Sequence, residues 1–208
     1  MKLVVGTNNA GKIKELNELL ADLPVELCGL NNFEKVSDVE ETGATFADNA
    51  SLKASAYARQ TGFWSLSDDS GLEVEALKGA PGVYSARYAG EGAGDRERID
   101  KLLKELAATG DQARRARFVC VMAVADEKGE IRYLAEGVCE GSIALAPNGT
   151  NGFGYDPVFV PDGFTETFGE LSSTVKQKIS HRARAIKKII RFFRDFTAHE
   201  LDQRHFRL

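Results

Sequence analysis

The sequence lacks the marks of a secreted, membrane-spanning or nucleic-acid-coating protein. Only three cysteines occur in 208 residues, Cys28, Cys120 and Cys139, and no C-x-x-C pair is present. An odd count without that spacing argues against a disulfide framework or a structural zinc site. Cys28 and Cys120 lie in apolar runs and read as buried thiols. No apolar run approaches the ~20 residues that a membrane span needs. The stretch after Met1 is too short for a signal peptide, so the expected location is the cytoplasm. Positive charge is in deficit: 27 Lys and Arg against 31 Asp and Glu give a net charge of -4. A broad nucleic-acid-binding face is therefore not expected. There is no internal repeat, low-complexity segment or linker. What remains is ordinary globular composition, 43% hydrophobic and 28% charged, enough for one good core or two close lobes. The expected organisation is one two-lobed domain over residues 1–197 and a polar tail over 198–208, where His199 and His205 read as surface groups.

Periodicity supplies the elements. "KLVV" is a short buried strand ending at Gly6. Residues 11–22 switch to helical spacing, with Ile13, Leu16, Leu19, Leu20 and Leu23 on one face. "VELCGL" reads as a second strand. Thr45 with Asp48 predicts a capping box that opens a helix, and Gly62 predicts its stop. "FWSLS" reads as a strand running into "DDSG", which places Asp68 and Asp69 at the strand's end; "LEVEAL" continues it or pairs with it. "RERIDKLLKELA" is an amphipathic helix. "RFVCVMAVAD" and "IRYLAEGVCEGSI" flank a turn at "EKGE" and read as paired strands. "ISHRARAIKKIIRFFRDF" is a final helix with Ile186, Ile189, Ile190 and Phe193 on one side. Residues 79–94 and 146–157 are Gly-rich loops. The expected fold is α/β: an elongated mixed sheet with flanking helices and two lobes around a cleft.

The chemistry sits in the loops. "GTNNAGK" has the spacing of a phosphate loop, G-x-x-x-x-G-K, but Ile13 stands where a magnesium-holding hydroxyl belongs. A turn feeding a helix N-terminus still presents free N–H groups. Thr7, Asn8 and Asn9 add short polar side chains, and Lys12 adds a charge. A metal bound with a triphosphate here needs carboxylates from elsewhere, and Asp68, Asp69, Glu40 and Glu41 offer them. Adjacent strand residues point to opposite faces, so one aspartate faces the cleft and the other anchors the turn. Lys53 shares the inward-tending face of its helix with Phe46, Asn49, Ala50 and Tyr57. "GFGYD" sets Phe153 and Tyr155 on either side of Gly154, as exposed rings suited to stacking on a nucleobase. Ser180 is a natural helix cap, and the cationic residues around it conflict with the helix dipole.

Six blocks carry a resemblance: "TNNAGK" (7–12), "EETGATFADNASLKA" (40–54), "SDDSGLEV" (67–74), "GAPGVYSARYAG" (79–90), "GFGYDPVF" (152–159) and "KQKISHRARA" (176–185). In this order they resemble the inosine triphosphate pyrophosphatase family, the dITP/XTP diphosphatases. The resemblance implies hydrolysis of ITP, dITP and XTP to the monophosphate and pyrophosphate, with Mg²⁺, in a homodimer. It implies that Thr7, Asn8, Asn9, Lys12 and Lys53 hold the phosphates. It implies that Asp69 is the metal-linked carboxylate often assigned as the base, with Asp68 beside it. Glu40 is the better-matched second metal ligand and Glu41 its rival. Ser70 touches substrate, Phe153, Gly154 and Tyr155 flank the base, and Asp156, Lys176, His181 and Arg182 read its edge. The departures are Val175, where relatives often carry an acidic residue, and the polar run "WSLSDD".

Three other functions are weighed. A P-loop-like ATPase conflicts with Ile13 and with the absence of a βαβ series. A nucleotide sensor has no need of the Asp68–Asp69 pair. An RNA-binding module built on residues 176–191 conflicts with the net negative charge.

Overall fold

The structure, a computed structural model, describes residues 1–20, 25–110 and 113–205, with side chains through Phe196. Six strands form one mixed sheet in the order β2-β1-β3-β4-β5-β6. β1 (Lys2–Val5) lies between β2 (Glu26–Gly29) and β3 (Trp64–Val74) and runs parallel to both. β3, β4 (Arg115–Ala125), β5 (Ile131–Ile143) and β6 (Phe159–Pro161) then pair antiparallel. α1 (Ala10–Leu19) follows β1 directly. α2 (Phe46–Thr61) opens on Thr45, whose hydroxyl and the Asp48 carboxylate cap each other's backbone, and ends on Gly62 at φ 72°. The expected helix from 96 to 107 is α3 (Asp95–Ala108).

One expectation is corrected. β3 is one strand of 11 residues, so Asp68 and Asp69 sit mid-strand and not at its end. The reason is β4, which pairs with β3 continuously from Ser65↔Ala125 to Val74↔Ala116. β1, in contrast, pairs only with Trp64 to Leu66. On that side β3 has no parallel neighbour beside the two aspartates, and the loop after Val5 occupies the space. The final helix is α5 (His181–His205), and a short helix that the sequence reading did not propose, α4 (Ser173–Ile179), precedes it. Ser180 still caps α5, accepting from the Ala183 amide at 3.2 Å. The α5 backbone stays helical into the segment read as a tail; the side chains of His199 and His205 lie outside the described residues, as does Leu23.

One face of β3 feeds two separate apolar clusters. It carries Leu66, Asp68, Ser70, Leu72 and Val74 in alternation. Leu66 joins a core with Leu16 of α1, Leu20 at that helix's C-cap, and Ile186, Ile189 and Phe193 of α5. Leu72 and Val74 join a second core with Ile99, Leu102 and Leu106 of α3 and Phe118, Phe159 and Phe168. Each fully buried side chain of this size contributes about 1.5–3 kcal/mol. Between the cores the same face offers only Asp68 and Ser70, and apolar packing is interrupted there. α2 covers the opposite face with Phe46, Ala50, Ala54 and Ala58. No helix is long and apolar enough to cross a membrane among the described residues.

Candidate functional site

A cavity of about 610 Å³ opens where the parallel part of the sheet ends. Its floor is β3 at Asp69, Ser70 and Gly71, and the N-terminus of α1 forms one wall. Asn9 caps α1 by accepting from the Lys12 amide at 3.0 Å. Its side-chain carbonyl is therefore spent on the helix. Thr7 Oγ1 accepts from the Asn9 amide at 3.2 Å, and Asn8 Nδ2 donates to Asp38 at 2.8 Å. All three line the cavity with Lys12, but only after shaping their own turn.

The two aspartates point to opposite faces of β3. Asp69 lies under α2, where Asn49 Nδ2 donates to its Oδ2 at 3.0 Å and the Ser70 amide donates to its Oδ1 at 3.0 Å. Lys53 Nζ stands 3.9 Å from Asp69 Oδ1 and pairs closely with Glu41. Burial pushes the Asp69 carboxyl above the ordinary range, and the Glu41 charge adds to this against the pull of Lys53. Burial also works to lower the Lys53 ammonium, but Asp68, Asp69 and Glu41 outweigh it and raise it.

Asp68 lies on the other face with its side chain 1% exposed, and it does not line the cavity. Its Oδ2 takes Lys12 Nζ at 3.0 Å, Ser70 Oγ at 2.7 Å and Arg182 Nη2 at 3.4 Å. Burial favours its neutral form, yet Lys12 and Arg182 hold the carboxyl far below the usual range. Burial, with the Asp68 charge adding to it, pushes the neighbouring Cys120 thiol up to about 12. The chain of charges continues. Arg182 also pairs with Glu15, Glu15 accepts from Lys176 at 2.8 Å, and Lys176 donates to Asp156 at 2.6 Å. Positive and negative groups alternate from Lys12 to Asp156, through the gap between the two cores.

Glu15 escaped the sequence reading. A glutamate on the polar side of a helix ordinarily faces water, and only the cationic run from 176 to 182 signalled a buried partner. Glu40 and Glu41 are also separated. Glu41 lines the cavity, whereas Glu40 is exposed. Neighbours in an extended segment face opposite ways, and this structure turns Glu41 inward.

The aromatic loop also lines the cavity, against the N-terminus of α1. The Phe153 ring rests on Gly11, where a Cβ would stand 2.7 Å from ring carbon Cδ1, and Lys176 Nζ lies 4.8 Å from its centroid. The expectation of two exposed rings is corrected. Tyr155 is buried in the α3-side core, and its hydroxyl donates to the Ser85 carbonyl at 2.9 Å. Asp156 turns inward to accept from the Phe153 amide at 2.8 Å, fixing the loop. His181 is buried and stacks on Phe118 at 4.7 Å. Burial, helped by the charges of Arg182 and Lys176, drives its pKa well below the usual value, so the ring is neutral. His181 Nδ1 and Arg182 Nε are buried without a hydrogen-bond partner, and both residues line the cavity. Unpartnered buried groups are costly, and such a cost is recovered when a ligand supplies the partner.

The cavity thus combines two lysines, Lys12 beside Asp68 and Lys53 beside Glu41 and Asp69, with the Phe153 ring and two unpartnered nitrogens at His181 and Arg182. The chain is similar to proteins already known. The profile of the Ham1 family matches residues 3–192. A dITP/XTP pyrophosphatase of Desulforamulus reducens is 49% identical over 200 residues, covering 96% of this chain and 99% of that protein. A dITP/XTP pyrophosphatase of a Nostoc species is 50% identical over 188 residues, covering 90% and 92%. The solved structure of a HAM1 protein from Coxiella burnetii superposes with a TM-score of 0.87 at 43% identity, covering 94% of this chain and 99% of that one.

Proposed function

The chain belongs to the Ham1 family, and from that premise we propose that its cavity cleaves purine nucleoside triphosphates bearing hypoxanthine or xanthine. The substrates are dITP, ITP and XTP, and the products are the monophosphate and pyrophosphate. The observation that carries this reading is one cavity that combines two lysines, a pair of carboxylates and buried unpartnered nitrogens beside an aromatic ring.

A triphosphate carries about four negative charges near neutral pH. Lys12, Lys53 and the N-terminus of α1 offset part of that charge. Asp69, held by Asn49 and the Ser70 amide, takes the proton of the water that attacks the α-phosphorus. The α–β anhydride then breaks, and pyrophosphate leaves against Lys12.

A divalent cation fits the same centre. Glu41 and Asp69 both line the cavity and converge on one ammonium, two carboxylates close enough to share a cation. Mg²⁺ takes one or two carboxylates together with substrate oxygens, so Glu41 and Asp69 are its proposed ligands; Glu40 faces solvent. When bound, the ion supplies further charge to the triphosphate and lowers the pKa of the attacking water.

Base choice follows from donors. Hypoxanthine and xanthine present a carbonyl at C6, where adenine presents an amino group. Arg182 has only donors, so adenine leaves donor facing donor, and a buried mismatch of that kind is rejected strongly. Guanine also has a C6 carbonyl, and its 2-amino group must be refused by the walls around Phe153. A homodimer is part of the proposal, and sedimentation at micromolar concentration tests it. The function itself is tested by a product assay over dITP, XTP, dATP and dGTP with Mg²⁺. Pyrophosphate from dITP and XTP is expected. Orthophosphate indicates an ATPase-like reaction, and no product indicates a sensor.

A further inference from the structure

One ion pair joins the two glycine-rich loops at the cavity's rim and has no part in the chemistry above. Asp95 opens α3. Its Oδ2 accepts from the backbone amide of Gly154 at 2.7 Å, and its Oδ1 takes Arg98 Nη2. Arg98 Nη1 donates to the carbonyl of Ala86 at 3.0 Å and to that of Ala93. A single carboxylate–guanidinium pair thus ties the loop of residues 79–94 to the residue directly after Phe153. Both side chains line the cavity.

The geometry gives this tie a consequence. Gly154 stands at φ 62°, a left-handed conformation in which the chain reverses just after the ring. The Phe153 amide is held from inside by Asp156. The ring is supported by Gly11 and Lys176. Asp95 holds the loop from the α3 side. Hydrogen bonds from a backbone amide to an ionised carboxylate are roughly twice as strong as neutral ones. Here Arg98 fixes the carboxylate, and its side chain is 18% exposed against 45% for Asp95, so the bond is only partly open to water.

We propose that Asp95, oriented by Arg98, is a positioning residue that holds the Phe153 wall against the purine and sets affinity for the base without touching the phosphate grip. The inference rests on the substrate class given above. It predicts a split between base binding and phosphate binding. Asp95→Ala should raise KM for dITP about tenfold and leave kcat within about twofold. Inhibition by inorganic tripolyphosphate, which has no base, should keep its wild-type constant. Asp95→Asn keeps an oxygen for the Gly154 amide but loses the charge that pairs with Arg98, so its KM should lie between the two. It also serves as the test should the alanine variant fail to fold.

The experiment is steady-state hydrolysis of dITP with tripolyphosphate as competitor, on wild type and both variants. The expected result is a raised KM with an unchanged tripolyphosphate constant. An unchanged KM in both variants overturns the inference. A parallel rise in KM and in the tripolyphosphate constant also overturns it, because Asp95 is then a general structural residue. Wild-type protein that leaves dITP intact overturns the functional reading itself, and this inference with it.

Discussion

Asp68 and Asp69 are neighbours on one strand and live in opposite surroundings. Asp68 faces the gap between the two cores, where Lys12, Arg182 and Ser70 saturate one of its oxygens. Asp69 faces the cavity under α2, where burial and Glu41 oppose its charge and Lys53 only partly compensates. The two carboxyls are displaced in opposite directions, Asp68 down and Asp69 up. A carboxylate whose charge is already balanced by fixed cations stabilises structure. One whose charge is opposed is poised to take a proton or a metal. The strand's two-residue alternation places these two conditions side by side.

That contrast can be broken most severely at Asp69. Asp69→Asn should lower kcat by on the order of 10³-fold with the fold retained, as read by pyrophosphate release at saturating Mg²⁺. Near-normal turnover would remove Asp69 from the reaction.

The next effect concerns the partner of Asp69. Glu41→Gln should cost about 30-fold in rate and raise the Mg²⁺ concentration needed for half-maximal activity, whereas Glu40→Gln should stay within about twofold. A Mg²⁺ titration of both variants checks this, and the opposite ranking would restore Glu40 as the ligand.

Arg182 sharpens the Asp68 side. Arg182→Lys keeps the charge between Glu15 and Asp68 but loses the planar fork. The ratio of kcat/KM for dITP over dATP should fall about tenfold, or about 1.4 kcal/mol. Equal losses for both substrates would make Arg182 a structural cation only.

The smallest effect is in pH. Asp69 must be ionised to act, so kcat/KM should fall as pH drops through a value above the usual aspartate range. Glu41→Gln removes a like charge and should move that acid limb to lower pH. A limb that moves to higher pH would contradict the account.

Much of this was legible beforehand, for reasons that differ between elements. The α2 boundaries were written in Thr45, Asp48 and Gly62, because capping is a local interaction. The apolar stripe of α5 was written in the spacing of Ile186, Ile189 and Phe193. The continuity of β3 was not, because Asp68, Asp69, Ser70 and Gly71 have poor strand propensity and only the long pairing with β4 holds them extended. β6, three residues long, carried no periodicity to detect. The Lys12 and Lys53 positions were visible from phosphate-loop spacing and from the character of a helix face. Glu15 was not, since its burial depends on contacts 161 and 167 residues away. The choice between Glu40 and Glu41 turns on which side of an extended segment faces the cavity, and two adjacent glutamates carry no such phase.

The central claim is that Asp68 maintains the structure while Asp69 performs the chemistry, and urea unfolding of Asp68→Asn and Asp69→Asn at pH 7 tests it most directly. The folded pKa of Asp68 is depressed, so its contribution to stability is complete above the unfolded value of ~3.9 and is lost as pH falls below it toward the folded value. The folded pKa of Asp69 is raised, so its charge costs stability at pH 7 and that cost is relieved as pH falls. The account predicts that Asp68→Asn loses about 3 kcal/mol, because Lys12 and Arg182 are left uncompensated in a buried site. Asp69→Asn should be at least as stable as wild type. A stable Asp68→Asn protein, together with a destabilised Asp69→Asn protein, would contradict it.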